Sequence, residues 1–110
     1  MARTTFTGPV VSQNGFIAGS GATITKVLSG SASLNFPSIS AASQADLTIT
    51  VTGAAVGDEV IMALPAAPAA GLVFNAFVSA ANTVTIRATN ITASPVDAAA
   101  ATYGVIVIAA

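Results

Sequence analysis

The chain has 110 residues, three basic and four acidic side chains, a net charge of −1 and no His, Cys or Trp, while 54% of it is hydrophobic. Nucleophiles, proton shuttles and metal ligands come mostly from His, Cys and clustered carboxylates, so the usual means of enzymatic and cofactor chemistry are missing, and no serine has a His or Lys base to argue for it. Three cations at positions 3, 26 and 87 do not track a phosphate backbone, which excludes nucleic acid as a partner. Without Cys there is neither disulfide nor thiolate metal site, and stability has to come from packing or from assembly.

The length suits one domain with one modest core. The hydropathy suggests a membrane, but a spanning helix needs about 20 uninterrupted apolar residues. The longest candidate, Val60 to Phe74, contains Pro65, Pro68 and Gly71, and the C-terminal run is broken at Asp97. The N-terminus has no apolar core of the secretory kind. No membrane partner is expected.

Residues 1–21 differ from the rest. They hold Gly8, Pro9, Gly15, Gly19 and Gly21 with brief apolar pairs at Val10-Val11 and Phe16-Ile17. Asn14-Gly15 between those pairs has the chemistry of a type I′ hairpin turn. The alternatives are a flexible leader or an arm that adds as a strand to another subunit. The expectation is an N-terminal arm or hairpin at 1–21 and a folded domain at 22–110.

From residue 22 onward the hydrophobic period is two. Strands are expected at Ala22 to Leu28, Ser33 to Phe36, Asp46 to Thr52, Glu59 to Leu64, Leu72 to Ser79, Thr83 to Thr89 and Thr102 to Ile108. In Asp46 to Thr52, Leu47, Ile49 and Val51 fall on one face and Thr48, Thr50 and Thr52 on the other, the pattern of a half-buried strand. Thr83 to Thr89 repeats it, with Val84, Ile86 and Ala88 inward and Thr85, Arg87 and Thr89 outward. Turn signals separate the strands at Gly30, Pro37, Gly53, Gly57-Asp58, Pro65, Pro68, Asn82 and Ser94-Pro95. The Ala-rich stretches 66–70 and 97–101 are candidates for a helical turn. Short strands at this spacing predict an all-β antiparallel sandwich or jelly roll. Its core is expected from Leu47, Ile49, Val51, Val84, Ile86, Val105 and Val107, with Phe36 and Phe74 as large fillers. The nearly continuous apolar run Thr102 to Ile108 suits a strand buried on both faces or packed against a neighbouring subunit.

The candidate sites favour structural roles. Asp58 and Glu59 are adjacent, so on a strand their carboxylates diverge; a turn-capping or solubilising role fits better than a metal site completed by Asp46 or Asp97. Asp97 suits a helix or turn cap, and Arg87 a pair with Asp97 or with an acid across an interface. Asn90-Ile91-Thr92 matches the glycosylation sequon. The Thr rows at 48–52 and 83–89 are a regular hydroxyl array, which strand propensity explains equally well.

Three stretches carry a resemblance: SASLNFPSISAASQADLTITVTGAAVGDEV, then PAAPAAGLVFNAFVSAANTVTIRATNITASPVD, and finally ATYGVIVIA. Their words, in this order, resemble a small β-sandwich structural module of tailed bacteriophage virion proteins. The likeness covers roughly residues 31–109. It implies a virion domain, either a capsid cement or decoration protein or a part of fibre-like proteins. The absence of any stalk or coiled-coil repeat ahead of it favours decoration over a long fibre. The expected partners are further copies of the chain, as a homotrimer at local three-fold positions of the shell, and the major capsid protein or another virion protein. The competing expectation is a receptor- or carbohydrate-binding fibre tip. Val10, Val11, Phe16 and Ile17 in the arm and Ile106 and Ile108 in the last strand are the candidate interface residues.

Overall fold

The computed structural model describes residues 3–110; of the arm expected at 1–21, positions 1 and 2 lie outside the described residues. Eight strands run in chain order: β1 (Phe16–Ile17), β2 (Thr23–Ile24), β3 (Lys26–Leu34), β4 (Gln44–Thr50), β5 (Glu59–Ala63), β6 (Leu72–Ala80), β7 (Thr83–Asn90) and β8 (Ala101–Ala109). Among the described residues there is no helix; the Ala-rich stretch 66–70 is irregular, and 97–101 is irregular up to Ala101, which begins β8. β3, β8 and β5 form one three-stranded sheet and β4, β7 and β6 another, every pair antiparallel. The domain is all-β, a sandwich of these two sheets. β1 and β2 make a separate two-stranded ribbon.

The period of two places the core. Ile49, Val51, Val84, Ile86 and Ala88 face Leu34, Tyr103, Val105 and Val107 of the opposite sheet in one cluster. Phe36, just past β3, completes an aromatic trio: its ring lies edge-on to Phe74 at 6.0 Å and to Tyr103 at 5.7 Å, with Phe74 and Tyr103 5.6 Å apart. Edge-to-face geometry sets positive ring edges against negative faces and adds to the area buried. Of the expected core, Leu47 and Phe74 are half-buried and the others are buried. Tyr103, Ile39 and Val78 join it unforeseen.

Two expectations need correction. Gly30 is not a turn: β3 runs through it, joining the two strands expected on either side. A Cβ at Gly30 would stand 2.8 Å from Val51 Cγ2 and 3.2 Å from the Thr50 carbonyl oxygen. The missing side chain lets β3 approach the end of β4, a use of strand glycine that local sequence does not announce. In the arm, Phe16-Ile17 pairs with Ile24 and Thr23, and Val10-Val11 belongs to no strand. The ribbon's turn therefore follows Phe16-Ile17 and does not lie at Asn14-Gly15, and its second strand falls beyond residue 21.

Turns are held by side chains as well as by backbone. Asn82, with φ 62°, sits in the two-residue loop between β6 and β7, a conformation that Asn tolerates better than most residues. Its Oδ1 accepts from the Gly53 N–H at 2.8 Å, while its own N–H donates to the Ala54 carbonyl and its carbonyl accepts from Val51 N–H, both at 2.9 Å. One asparagine thus ties the β6–β7 hairpin to the loop that follows β4. At the other end, Ile39 and Val96 exchange backbone hydrogen bonds of 2.8 and 3.0 Å, joining the β3–β4 and β7–β8 connections.

Candidate interaction surfaces

The outer face of the β4–β7–β6 sheet is mostly polar, with Val73 and Phe77 as its exposed apolar residues. Register places Asp46 beside Arg87, and the guanidinium donates two hydrogen bonds of 2.9 Å to the Asp46 carboxylate. Arg87 pairs across strands of its own sheet, not with Asp97, which is exposed and caps no helix. The hydrogen bond from Arg87 holds the Asp46 carboxyl below its ordinary range and raises Arg87 in return. The same guanidinium lies 5.1 Å from the centre of the Phe77 ring, within cation–π range. Thr48 and Thr50 face outward as expected, while Thr85 is buried and donates to Ser79 Oγ at 2.6 Å.

The other candidate polar groups have structural work. Asp58 accepts from the Ala55 N–H at 3.0 Å and lies 3.6 Å from Lys26 Nζ, whereas Glu59 points outward from β5. Lys26 also donates to the Gly53 carbonyl. Among the described residues no three acidic side chains come together as metal ligands. Asn90 is 1% exposed; its amide nitrogen donates to the Ile39 and Ser94 carbonyls and its Oδ1 accepts from Thr92, so the sequon asparagine is an internal clasp. Burial pushes the Tyr103 hydroxyl above its ordinary pKa of 10.0. No arrangement of nucleophile, base and oriented partner emerges from these residues.

The outer face of the β3–β8–β5 sheet is different. Antiparallel register lays it out in rows: Val27–Ile108–Glu59, then Ser29–Ile106–Ile61, then Ser31–Gly104–Ala63. Ile106 is 42% exposed and Ile61 57%, and Ile108 is half-buried between Val27 and Glu59. β8 is therefore buried on one face only, through Tyr103, Val105, Val107 and Ala109, and its other face is an apolar surface open to solvent. A hollow of about 200 Å³ lies over Gly104, lined by Ile61, Ala63 and Ile106. The sequence alone points to Ile106 and Ile108 as candidate interface residues but not to Ile61 or Val27, which the structure places on the same face. The available signal was Ile61 at an outward position of a period-two strand, where a polar residue is the rule.

The arm supplies a second apolar group. Phe6, Val10, Val11, Phe16 and Ile17 are all exposed, Val11 by 85% and Phe6 by 67%, and none belongs to the core. The ribbon joins the sandwich where Thr25 N–H donates to the Ala109 carbonyl at 2.8 Å. There Val10, Phe16 and Ile24 face Lys26 and Val27 across a groove of about 530 Å³. Val27 also begins the apolar rows of the sheet, so arm and sheet face form one continuous surface. Phe16 and Ile108, far apart in sequence, thus both lie next to Val27. Comparisons with family models, with curated proteins and with solved structures found no match.

Proposed function

We propose that the chain is a non-enzymatic virion structural protein, a capsid cement or decoration protein that binds the capsid surface as a symmetric homo-oligomer, a trimer, and stabilises the shell. The observation that carries this reading is the division of the apolar residues. One set fills a complete core between the sheets, and most of the rest is displayed on the arm and on the β3–β8–β5 face, where burial requires a partner, with Val73 and Phe77 exposed on the other sheet and Val56, Leu64 and Ile91 exposed in loops. Stable assemblies of this kind bury a more apolar surface than transient ones do, and isolated monomers rarely display such a patch without use. The ordered words of residues 31–109 supply the virion context by resemblance. A carbohydrate-binding tip is the weaker reading: Phe77, on the polar sheet face, already has Arg87 against its ring, which leaves less of it for sugar stacking.

Deleting residues 2–20 is expected to leave the circular dichroism of a folded β domain, because none of the described residues among them enters the core cluster, but to abolish binding to purified virus particles. Mixing tagged full-length and truncated protein with stripped particles and sedimenting the particles measures this. A truncated chain that decorates particles as the full chain does, or that cannot fold, contradicts the proposal.

A further inference from the structure

We infer that the hollow over Gly104 receives the ring of Phe6 from the arm of a second copy of this chain. The inference rests on the self-assembly proposed above and specifies the surface that takes the arm.

Gly104 lies in the middle of β8, where glycine weakens a strand. Its own chain does not require it. The backbone there is not in the left-handed region, and an added Cβ would meet Ala63 Cβ at 3.6 Å and the Gly30 carbonyl oxygen at 3.8 Å, both ordinary contacts. Gly30 is the contrast, since a Cβ there collides with Val51 inside the same molecule. A strand glycine with no internal use marks a place where something approaches from outside. The hollow it leaves, about 200 Å³ with isoleucines on its rim, suits one aromatic ring; an apolar cavity of about 150 Å³ takes benzene.

The arm offers such a ring with the matching charge. Phe6 is exposed and lies outside the core. The ten residue steps from Phe6 to Phe16 reach as far as about 33–36 Å when extended, more than the 28 × 24 Å cross-section of the molecule. The one charged residue between positions 3 and 25 is Arg3. The one charged residue in the rows of the receiving face is Glu59, two positions from Ile61. The arm leaves the sandwich at the β3 edge of this face, beside Val27, whereas the hollow lies over Gly104, lined mostly by β8 and β5 with Gly30 of β3. Donor and acceptor at different places on one face make a head-to-tail contact, which closes into a ring when the rotation permits.

The chain has no Cys, so the introduced thiols are the only ones that can cross-link. Two single variants, Thr7→Cys beside the ring and Ser31→Cys in the Gly104 row, are mixed as full chains and oxidised. The expected result is a covalent heterodimer of the two variants. Gly104→Val in the Ser31→Cys chain fills the hollow, and is expected to abolish that product while leaving the circular dichroism unchanged. On its own it should raise the dissociation constant of the assembly at least about tenfold, or 1.4 kcal/mol, and Phe6→Ala should do the same. A wild-type chain that assembles while the mixed variants give no heterodimer, or give it equally with Gly104→Val, overturns this inference and leaves the proposed self-assembly standing on another surface. A wild-type chain that stays monomeric at micromolar concentration overturns both. If Gly104→Val does not fold, the heterodimer and Phe6→Ala decide: no heterodimer, or unchanged assembly of Phe6→Ala, overturns the inference.

Discussion

Replacing Phe36 by Ala is expected to cost about 3–5 kcal/mol of folding stability, the range for truncating a buried aromatic ring. Phe36 is 1% exposed and lies edge-on to Phe74 and Tyr103. Its two aromatic neighbours are fixed in β6 and β8, so they cannot collapse into the space the ring vacates, and the cavity term adds to the lost transfer energy. A domain of this size has about 5–15 kcal/mol in total, which makes the change decisive. Chemical denaturation followed by circular dichroism measures it, with Ile49→Ala and Ile86→Ala expected to lose about 2–5 kcal/mol and Thr50→Ala, on the exposed face of β4, no more than about 0.5 kcal/mol. If Thr50→Ala is the more damaging change, the inward and outward faces are assigned backwards.

Asn90→Ala is the second large loss, expected at about 2–4 kcal/mol, because it removes four hydrogen bonds made by one buried side chain, each worth about 0.5–1.5 kcal/mol net. The amide of Asn90 donates to the carbonyls of Ile39 and Ser94, both at 2.9 Å, and accepts from the Thr92 N–H and hydroxyl at 2.8 and 2.7 Å. The bond to Ile39 ties the loop between β7 and β8 to the loop after β3, the other three close the β7–β8 loop on itself, and the asparagine that makes them is 1% exposed. Thr92→Ala removes only one of these bonds and is expected to cost less than half as much. Equal losses for the two variants, or a silent Asn90→Ala, would show that the backbone exchange between Ile39 and Val96 holds the loops without the clasp.

The strands easiest to read are those with one buried face and one polar face. In β4 and β7 apolar residues alternate with Thr and charge, and the likeness between Leu47-Thr48-Ile49 and Val84-Thr85-Ile86 becomes direct pairing, Leu47 opposite Ile86 and Ile49 opposite Val84. β3 was split in sequence because Gly30 resembles a breaker; its cause is the approach of Val51, 21 positions later, which no local pattern carries. Asp46–Arg87 follows from strand register, and register is a tertiary property that a single sequence leaves open. β8 shows the limit of periodicity in the other direction. A continuous apolar strand is ambiguous between burial on both faces and an apolar outer face, and only the sheet shows that Ile106 belongs to solvent. The arm's apolar pairs were visible at once, but their neighbour across the groove, Val27, could be recognised only after the arm was placed beside β3.

The most direct test of the whole account is the mass of the full-length chain in dilute solution, by sedimentation equilibrium at micromolar concentration. The expected result is an assembly of three 10.7 kDa chains that dissociates when residues 2–20 are removed, while both forms keep the circular dichroism of a β sandwich. A full-length chain that sediments as a stable 10.7 kDa monomer would contradict it.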